Sequence, residues 1–498
     1  MLKKNILANY FGQGWTAIMG LIFIPVYIKL LGIESYGLIG LFGMLNTWLS
    51  LLDIGLTPTL NREMARYKAG GHSTQSIRDL LRSVETIAII IAIVIFLSIL
   101  LSSNWLATSW LHSETLPVSV VSRSFIIMGI VTSLKFVEAI YGSSIVGLQK
   151  QVVFNIVNSI IATIRGVGAV LVLKFISPTI GAFFFWQAII SITSIFTLSI
   201  ITYSSLEKIT TKAKFSFAAL NEIKNFALGI VGGTLLSFFL TQIDKILLSK
   251  LLNLEEFGYY TLAVGISGAL MIFTSPITQA WFPRLTFLKE ANKDEELAKE
   301  FHIGSQLITV LMGSATVVLI FFTKIFLLFW TQNQILEEKT SCIISVLAIG
   351  NLMSGLNAMP YNIQLAYGWT SLSFYIKVIS VIVSIPLVWW ATLKYGPIGA
   401  ASTWVLVSSL YLIIGTPLMF NKILLNQKIK WIISDVFIPL FFATLTAFIL
   451  SNILPEPIGR INQGLTLIIS GILTLTVSFF SANELRKKIL QMLLNKKF

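Results

Sequence analysis

Charge is scarce in this sequence. Only 12% of its 498 residues are Asp, Glu, Lys or Arg, where a soluble domain carries roughly 25%. Cysteine occurs once, at Cys342, which excludes an intrachain disulfide and a cysteine-only zinc cluster. That residue is expected to fill a small apolar space in a helix. Histidine occurs three times, as His72, His112 and His302, none with a second His at metal-ligand spacing or an Asp four or five residues on. No phosphate-binding glycine loop and no clustered aspartate pair of the glycosyltransferase kind is present. No metal, no resident cofactor and no enzyme chemistry is expected. Long polar loops are missing as well, so no folded extramembrane domain is expected.

Apolar residues fill the chain instead: 55% are hydrophobic, and the mean hydropathy is +0.83. Folded in water, such a chain would have nowhere to bury its apolar surface, so the bilayer is its natural solvent. There every backbone polar group must be satisfied within a helix or a closed barrel. The apolar runs are about 20 residues long, the length that crosses a hydrocarbon core as a helix. The in–out alternation of barrel strands is absent. The fold class is therefore all-α, a polytopic transmembrane helical bundle. About fourteen spans are expected, near 9–31, 36–58, 83–103, 119–147, 153–175, 178–202, 225–249, 258–282, 303–330, 341–367, 372–393, 397–420, 434–453 and 463–482. Residues 1–31 resemble a signal sequence only superficially, because the apolar stretch runs on without a small-residue cleavage site. They read as the first span, retained.

The net charge of +14 could point to a nucleic-acid partner, but its distribution does not. Lys and Arg concentrate in the termini and alternate loops, such as Arg62, Arg66, Lys68, Arg78 and Arg82, then Lys208, Lys212, Lys214 and Lys224, then Arg486, Lys487 and Lys488. Lys29, Lys174, Lys250, Lys324, Lys339, Lys394 and Arg460 are the sparse set on the other side. Positive residues mark the cytoplasmic side, so both termini are expected there. The charge is a topology signal, and no nucleic-acid partner is expected. The tail, with Leu485, Ile489, Met492 and Leu493 against its basic residues, reads as an amphipathic helix on the inner leaflet.

The chain repeats itself. Lys29-Leu30-Leu31-Gly32-Ile33-Glu34-Ser35-Tyr36-Gly37-Leu38 matches Lys250-Leu251-Leu252-Asn253-Leu254-Glu255-Glu256-Phe257-Gly258-Tyr259, and Ile180-Gly181-Ala182 with Trp186 matches Ile398-Gly399-Ala400 with Trp404. The near-equal offsets divide the chain into a six-helix lobe at 1–213, a second at 214–425, and two further helices with a basic tail at 426–498. Six is even, so the lobes share an orientation and are pseudo-symmetric about the membrane normal. Such lobes can rock and expose a cleft to alternate sides, which is transporter architecture. Pro25, Pro276 and Pro386 mark expected kinks within spans.

Polar residues inside the spans follow helical spacing. Asn155, Asn158 and Arg165 share a face of the fifth span, as do Lys135 and Glu138 in the fourth. A centred Arg costs about 2.5–3.5 kcal/mol on insertion scales, so Arg165 and Lys135 are expected to meet a wet cavity or a partner. One reading pairs Lys135 with Glu138, and Arg165 with Glu138 or Asp53. The other makes them a cationic lining for an anionic headgroup, for which Arg is well suited. Lys377 near the cytoplasmic edge and Arg123 near the outer edge can snorkel to the interface. Asp53, Asp244 and Lys377 also fit structural or topological roles, and Trp15, Trp48 and Trp186 fit packing or interface anchoring.

Leu51-Leu52-Asp53-Ile54-Gly55-Leu56-Thr57-Pro58-Thr59-Leu60-Asn61-Arg62-Glu63-Met64-Ala65-Arg66 resembles the end of the second span in bacterial polysaccharide flippases of the Wzx type. Gln242-Ile243-Asp244-Lys245-Ile246-Leu247-Leu248-Ser249-Lys250, Phe257-Gly258-Tyr259-Tyr260 and Pro283-Arg284-Leu285 resemble the start of that family's second half. The resemblance places the chain in the multidrug/oligosaccharidyl-lipid/polysaccharide (MOP) exporter superfamily and implies a MATE-like, V-shaped bundle with a cationic cavity. It implies translocation of undecaprenyl-diphosphate-linked oligosaccharide across the bacterial inner membrane for O-antigen or related polysaccharide. Membrane lipid and polysaccharide polymerase or assembly partners follow from it, as does coupling to a proton or sodium gradient. The substrate-binding set carried forward is Arg165, Lys135, Glu138, Arg123, Lys377, Asn158, Asp53 and Asp244. A cation-coupled multidrug exporter is the first rival, and a membrane polymerase or glycosyltransferase the second.

Overall fold

The hydropathy pattern resolves into helices throughout the computed structural model, which describes residues 2–53, 55–208, 211–218, 220–221, 238–239 and 241–494. Among these, eleven helical stretches are long and apolar enough to cross a membrane. One of them, Ser371–Lys422, covers two of the expected spans. The second span is helical over Ile33–Leu52, and the seventh, 225–249, falls largely outside the described residues. The chain is a multi-pass membrane protein of all-helical fold.

Contacts divide it into two compact units, Met1–Gly258 and Tyr259–Phe498. The first contains α1 (Leu2–Ile22), α2 (Ile24–Leu31), α3 (Ile33–Leu52), α4 (Leu56–Lys68), α5 (Thr74–Trp105), α6 (Val118–Gly147), α7 (Gln151–Phe175), α8 (Ile180–Ser205) and the helical residues 241–251, here α9. The contact boundary falls inside α10 (Leu254–Gly268). The second unit continues with α11 (Thr274–Glu290), α12 (Asp294–Ile308), α13 (Ser314–Phe321), α14 (Thr323–Thr331), α15 (Gln334–Leu356), α16 (Ala358–Ala366), α17 (Ser371–Leu410) and α18 (Thr416–Lys422). The short α19 (Lys428–Lys430), α20 (Ile438–Ile453), α21 (Arg460–Ser481) and α22 (Asn483–Leu494) complete it.

Proline and glycine set the breaks. Pro25 opens α2 just after the interruption at Phe23, because a proline lacks the N–H that would continue the helix. Pro276 sits in the first turn of α11, after a 3-10 segment at Ala269–Phe273. Pro386 does not interrupt α17; the single non-helical residue there is Gly396, at φ 60° and ψ −145°, a conformation open to glycine. Cys342 lies on α15 as expected, but its side chain is exposed and fills no core space.

Two sets of contacts hold the ends of the first unit. At one end, the two copies of the ten-residue repeat lie against each other. A Cβ on Gly37 would stand 2.5 Å from the Leu254 carbonyl oxygen, and one on Gly258 would stand 2.5 Å from that of Ile33. The buried Glu34 carboxylate accepts hydrogen bonds from the backbone N–H groups of Glu114 (2.6 Å), Thr115 (3.0 Å) and Leu116 (3.1 Å), and from the Thr115 hydroxyl. Leu254 N–H donates to the His112 carbonyl at 2.8 Å. Trp110 Nε1 donates to Ser249 Oγ at 3.1 Å. At the other end, the chain after α8 runs along the start of α5. The Arg78 guanidinium donates to the Glu207 carbonyl at 2.9 Å, Lys214 N–H to Asp79 Oδ1 at 2.7 Å, and Ser216 N–H to Ser83 Oγ at 2.8 Å.

In the second unit, a polar network sits inside an apolar core that includes Phe301, Met312 and Met359. His302 Nδ1 meets the Asp435 carboxylate, and both side chains are essentially inaccessible. His302 Nε2 is 2.9 Å from Gln427 Oε1. Gln306 Nε2 donates to Asp435 Oδ1 at 2.8 Å, and Leu485 N–H donates to Gln306 Oε1 at 2.9 Å. Asp435 lies in a π-helical stretch, Trp431–Phe437. The network ties α12, that stretch and α22 together. The expected tail helix is present, and it is docked onto α12 through Leu485 and through the Lys488–Glu300 ion pair at 2.8 Å.

Candidate functional site

A cavity of about 620 Å³ lies within the first unit, and its lining includes Thr16, Thr57, Lys135, Glu138, Asn158 and Arg165. Helical spacing brings this set together. Lys135 and Glu138 lie one turn apart on α6, and Asn158 and Arg165 two turns apart on α7. The backbone at Arg165 is fixed from two sides. Trp186 Nε1 on α8 donates to the Arg165 carbonyl at 3.3 Å, and the Tyr27 hydroxyl on α2 donates to the Gly166 carbonyl at 3.3 Å.

The guanidinium of Arg165 has three partners. Its NH1 donates to Gln187 Oε1 at 3.2 Å and to Ser191 Oγ at 3.4 Å. Its NH2 stands 3.8 Å from Glu138 Oε2, each side chain 18% exposed. Glu138 Oε1 accepts from Ser194 Oγ at 2.7 Å. Of the two pairings expected for Glu138, the structure takes Arg165, across helices, rather than Lys135 on its own helix. Lys135 Nζ instead lies 5.1 Å from the centre of the Phe42 ring, a cation–π contact, and among the described residues it has no carboxylate within ion-pair distance. Two cations and one carboxylate leave the cavity one positive charge in excess. A cation–π contact supplies no oxygen acceptor, so the ammonium's donors remain available to one.

The remaining candidates lie elsewhere. Asn158 Nδ2 donates to Thr16 Oγ1 at 3.5 Å and does line the cavity. Asp53 caps the turn into α4, accepting from Thr57 N at 3.0 Å and Thr57 Oγ1 at 2.6 Å. Arg123 is exposed near the start of α6, about 18 Å from Lys135 at 1.5 Å per residue. Asp244 is on α9 and is not among the lining residues. Lys377 belongs to the second unit, its Nζ 5.3 Å from the Tyr361 ring. Gln187, Ser191 and Ser194, which hold Arg165 and Glu138, were not among the expected site residues. Their spacing of four and three along α8 is the signal that could have marked them.

A family model for polysaccharide biosynthesis proteins matches residues 2–289, more than half of the chain. The chain belongs to that family. A second family model, MatE, matches residues 230–390. A Shigella flexneri protein named for O-antigen transport is 21% identical over 406 residues, which cover 80% of this chain and 93% of the relative. Among solved structures, the lipid II flippase MurJ in an inward closed conformation aligns with a TM-score of 0.63 at 16% identity, over 95% of this chain and 98% of its own. An inward-facing MATE multidrug resistance transporter of the MOP superfamily aligns with a TM-score of 0.63 at 14% identity, over 82% of this chain and 96% of its own. This member of the polysaccharide biosynthesis family thus shares its fold with proteins named as transporters and flippases, among them a transporter of the MOP superfamily.

Proposed function

We propose that this transporter is a flippase for a polyprenyl-diphosphate-linked oligosaccharide, of the undecaprenyl type. It carries its cargo from the inner to the outer leaflet of the bacterial cytoplasmic membrane, with both chain termini on the cytoplasmic side. The product serves assembly of O-antigen or a related surface polysaccharide and passes to a polymerase. The observation that carries this reading is Lys135, a mid-membrane cation with no carboxylate within ion-pair distance among the described residues, beside Arg165 in one cavity. Diphosphate is the group such an excess positive charge recognises, and Arg binds it through paired N–H donors. The sugars occupy the polar cavity, the hydrocarbon chain stays outside it in apolar surroundings, and the lobes 1–213 and 214–425 rock to move the head across. A proton or sodium gradient supplies the direction. Arg123, Lys377, Asp53 and Asp244 serve this reading as helix-end or lobe contacts rather than as the first anchors of the head.

The MatE match over 230–390 favours a second reading, a cation-coupled drug exporter. The excess of positive charge in the cavity weighs against cationic drugs.

The test is replacement of Lys135 and Arg165 by Ala and by the other cation, in cells whose surface polysaccharide depends on this chain. Loss of polymer with lipid-linked repeat units trapped on the inner leaflet is the expected result for Ala, with partial recovery for the cation swaps. Full polymer in both Ala variants, or drug efflux without any change in polymer, overturns the reading.

A further inference from the structure

A second cavity of the first unit, about 710 Å³, opens between α3, α5, α6 and α9. Its lining is almost wholly apolar, with Leu41, Leu45, Ile95, Ile99 and Phe125 along its length and Trp105 at its outer end. Ile90, Val94 and Trp105 are half-exposed at its edge, so it opens sideways towards lipid. An apolar space of this kind stays dry, and in a bilayer hydrocarbon fills it.

Two atoms break the pattern. Trp48 Nε1 and Thr132 Oγ1 line this cavity, are buried, and have no hydrogen-bond partner among the described residues. Both lie deep. Trp48 is twelve residues along the span from Tyr36, about 18 Å from its outer end, and Thr132 is fourteen residues along α6 from Val118. Thr132 is one helical turn from Lys135, and Phe42, which receives the Lys135 ammonium, is flanked in sequence by Leu41, which lines the apolar cavity. Residues of the polar cavity and of the apolar one are thus neighbours along α3 and α6, with Trp48, Thr132 and Lys135 all deep in their spans.

We propose that this groove holds the hydrocarbon chain of the transported lipid, running from mid-membrane towards the outer leaflet, while the diphosphate occupies the Lys135–Arg165 cavity. The proposal rests on the flippase reading and adds a second binding site to it. Lifting a head from the inner leaflet to mid-membrane leaves its chain to be housed in the outer half, where the groove lies. Its deep end suits the oxygen-bearing start of a chain, which accepts from Trp48 Nε1–H and Thr132 Oγ1–H. A bulk phospholipid does not fit this end. Its head stays at the interface, and the methyl ends of its chains would reach Trp48 and Thr132 with nothing to accept those bonds.

The test uses the full chain in nanodiscs. The probes are a long-chain polyprenyl diphosphate carrying a photoreactive group on its chain, and a short prenyl diphosphate that reports the head alone. Ser98→Trp and Ser102→Trp fill the groove from positions on its lipid-facing side, and unchanged thermal melting verifies their fold. The long probe should label peptides of α3 and α5. Groove filling should weaken its binding several-fold and leave the short probe unchanged. Trp48→Phe and Thr132→Val should shift the long probe in the same direction by a smaller factor. Labelling that is confined to other helices, or long-probe binding indifferent to both Trp variants, overturns the proposal. So does equal labelling by a photoreactive phospholipid that the long probe fails to displace, which identifies bulk lipid only. The head reading fails separately, when Ala at Lys135 and Arg165 leaves the short probe bound as before; groove labelling then stands on its own.

Discussion

Gly37 and Gly258 hold equivalent places in the two copies of one motif, and each makes room for the other copy's backbone. The contact is reciprocal: Gly37 faces the carbonyl of Leu254, and Gly258 faces that of Ile33. A methyl group at either position meets a main-chain oxygen, which cannot rotate away. Overpacking of this kind costs about 1–3 kcal/mol. Gly37→Ala and Gly258→Ala are each expected to lower the melting temperature and to reduce disulfide trapping between cysteines placed at 33 and 254. Ala at Gly43, which has no neighbour within 4 Å among the described residues, is the control and should leave both measurements unchanged.

Glu138 does two things at once in the first cavity: it neutralises Arg165 and it limits the excess positive charge. Removing one partner of a buried pair costs about 3–5 kcal/mol in a dry site, and the residual exposure of both groups places this pair below that range. Glu138→Gln is therefore expected to destabilise the protein while tightening the binding of a short prenyl diphosphate, because two uncompensated cations then face it. Thermal melting and equilibrium binding on one preparation check both halves. Weaker binding on removal of the carboxylate would contradict the assignment of an anion to this cavity.

The His302–Asp435 pair has no route to water, so its partners cannot be replaced singly without cost. His302→Leu leaves a buried carboxylate with Gln306 as its remaining partner, and a loss of about 3–5 kcal/mol follows. The double variant His302→Leu, Asp435→Leu removes both charges and should recover much of that loss. Because Gln306 also accepts from Leu485 N–H, the single variant should raise hydrogen exchange across α22, while exchange in the first unit stays constant. Equal melting of the single and double variants would show that the pair contributes no coupling.

The spans and the principal cavity residues were legible because they depend on local periodicity. Lys135 with Glu138, and Asn158 with Arg165, follow from the helical repeat alone, and the cavity gathers all four. Partner choice was not legible. Glu138 turns to Arg165 on another helix because Gln187, Ser191 and Ser194 of α8 complete the polar cluster there. Nothing in the sequence of α6 encodes that. His302 was set aside for want of a nearby acid, and its acid lies 133 residues further along the chain. Pro386 was expected to kink its span, but the helix runs through it and breaks at Gly396, where a positive-φ glycine stands directly before Pro397, which lacks an N–H. Cys342 was expected inward because cysteine is usually buried, but its position on α15 faces outward.

The segment that follows α8 is fastened to α5 at Thr74, Arg78, Asp79 and Ser83. A connection tied at four successive points does not act as slack rope between the repeat-related halves. Whatever pulls on Ser216 pulls on α5 within one hydrogen-bond length, and α5 forms one wall of the apolar groove. Displacement of the chain beyond Ser216 would therefore reach the groove wall directly, or else would have to unfasten the row bond by bond.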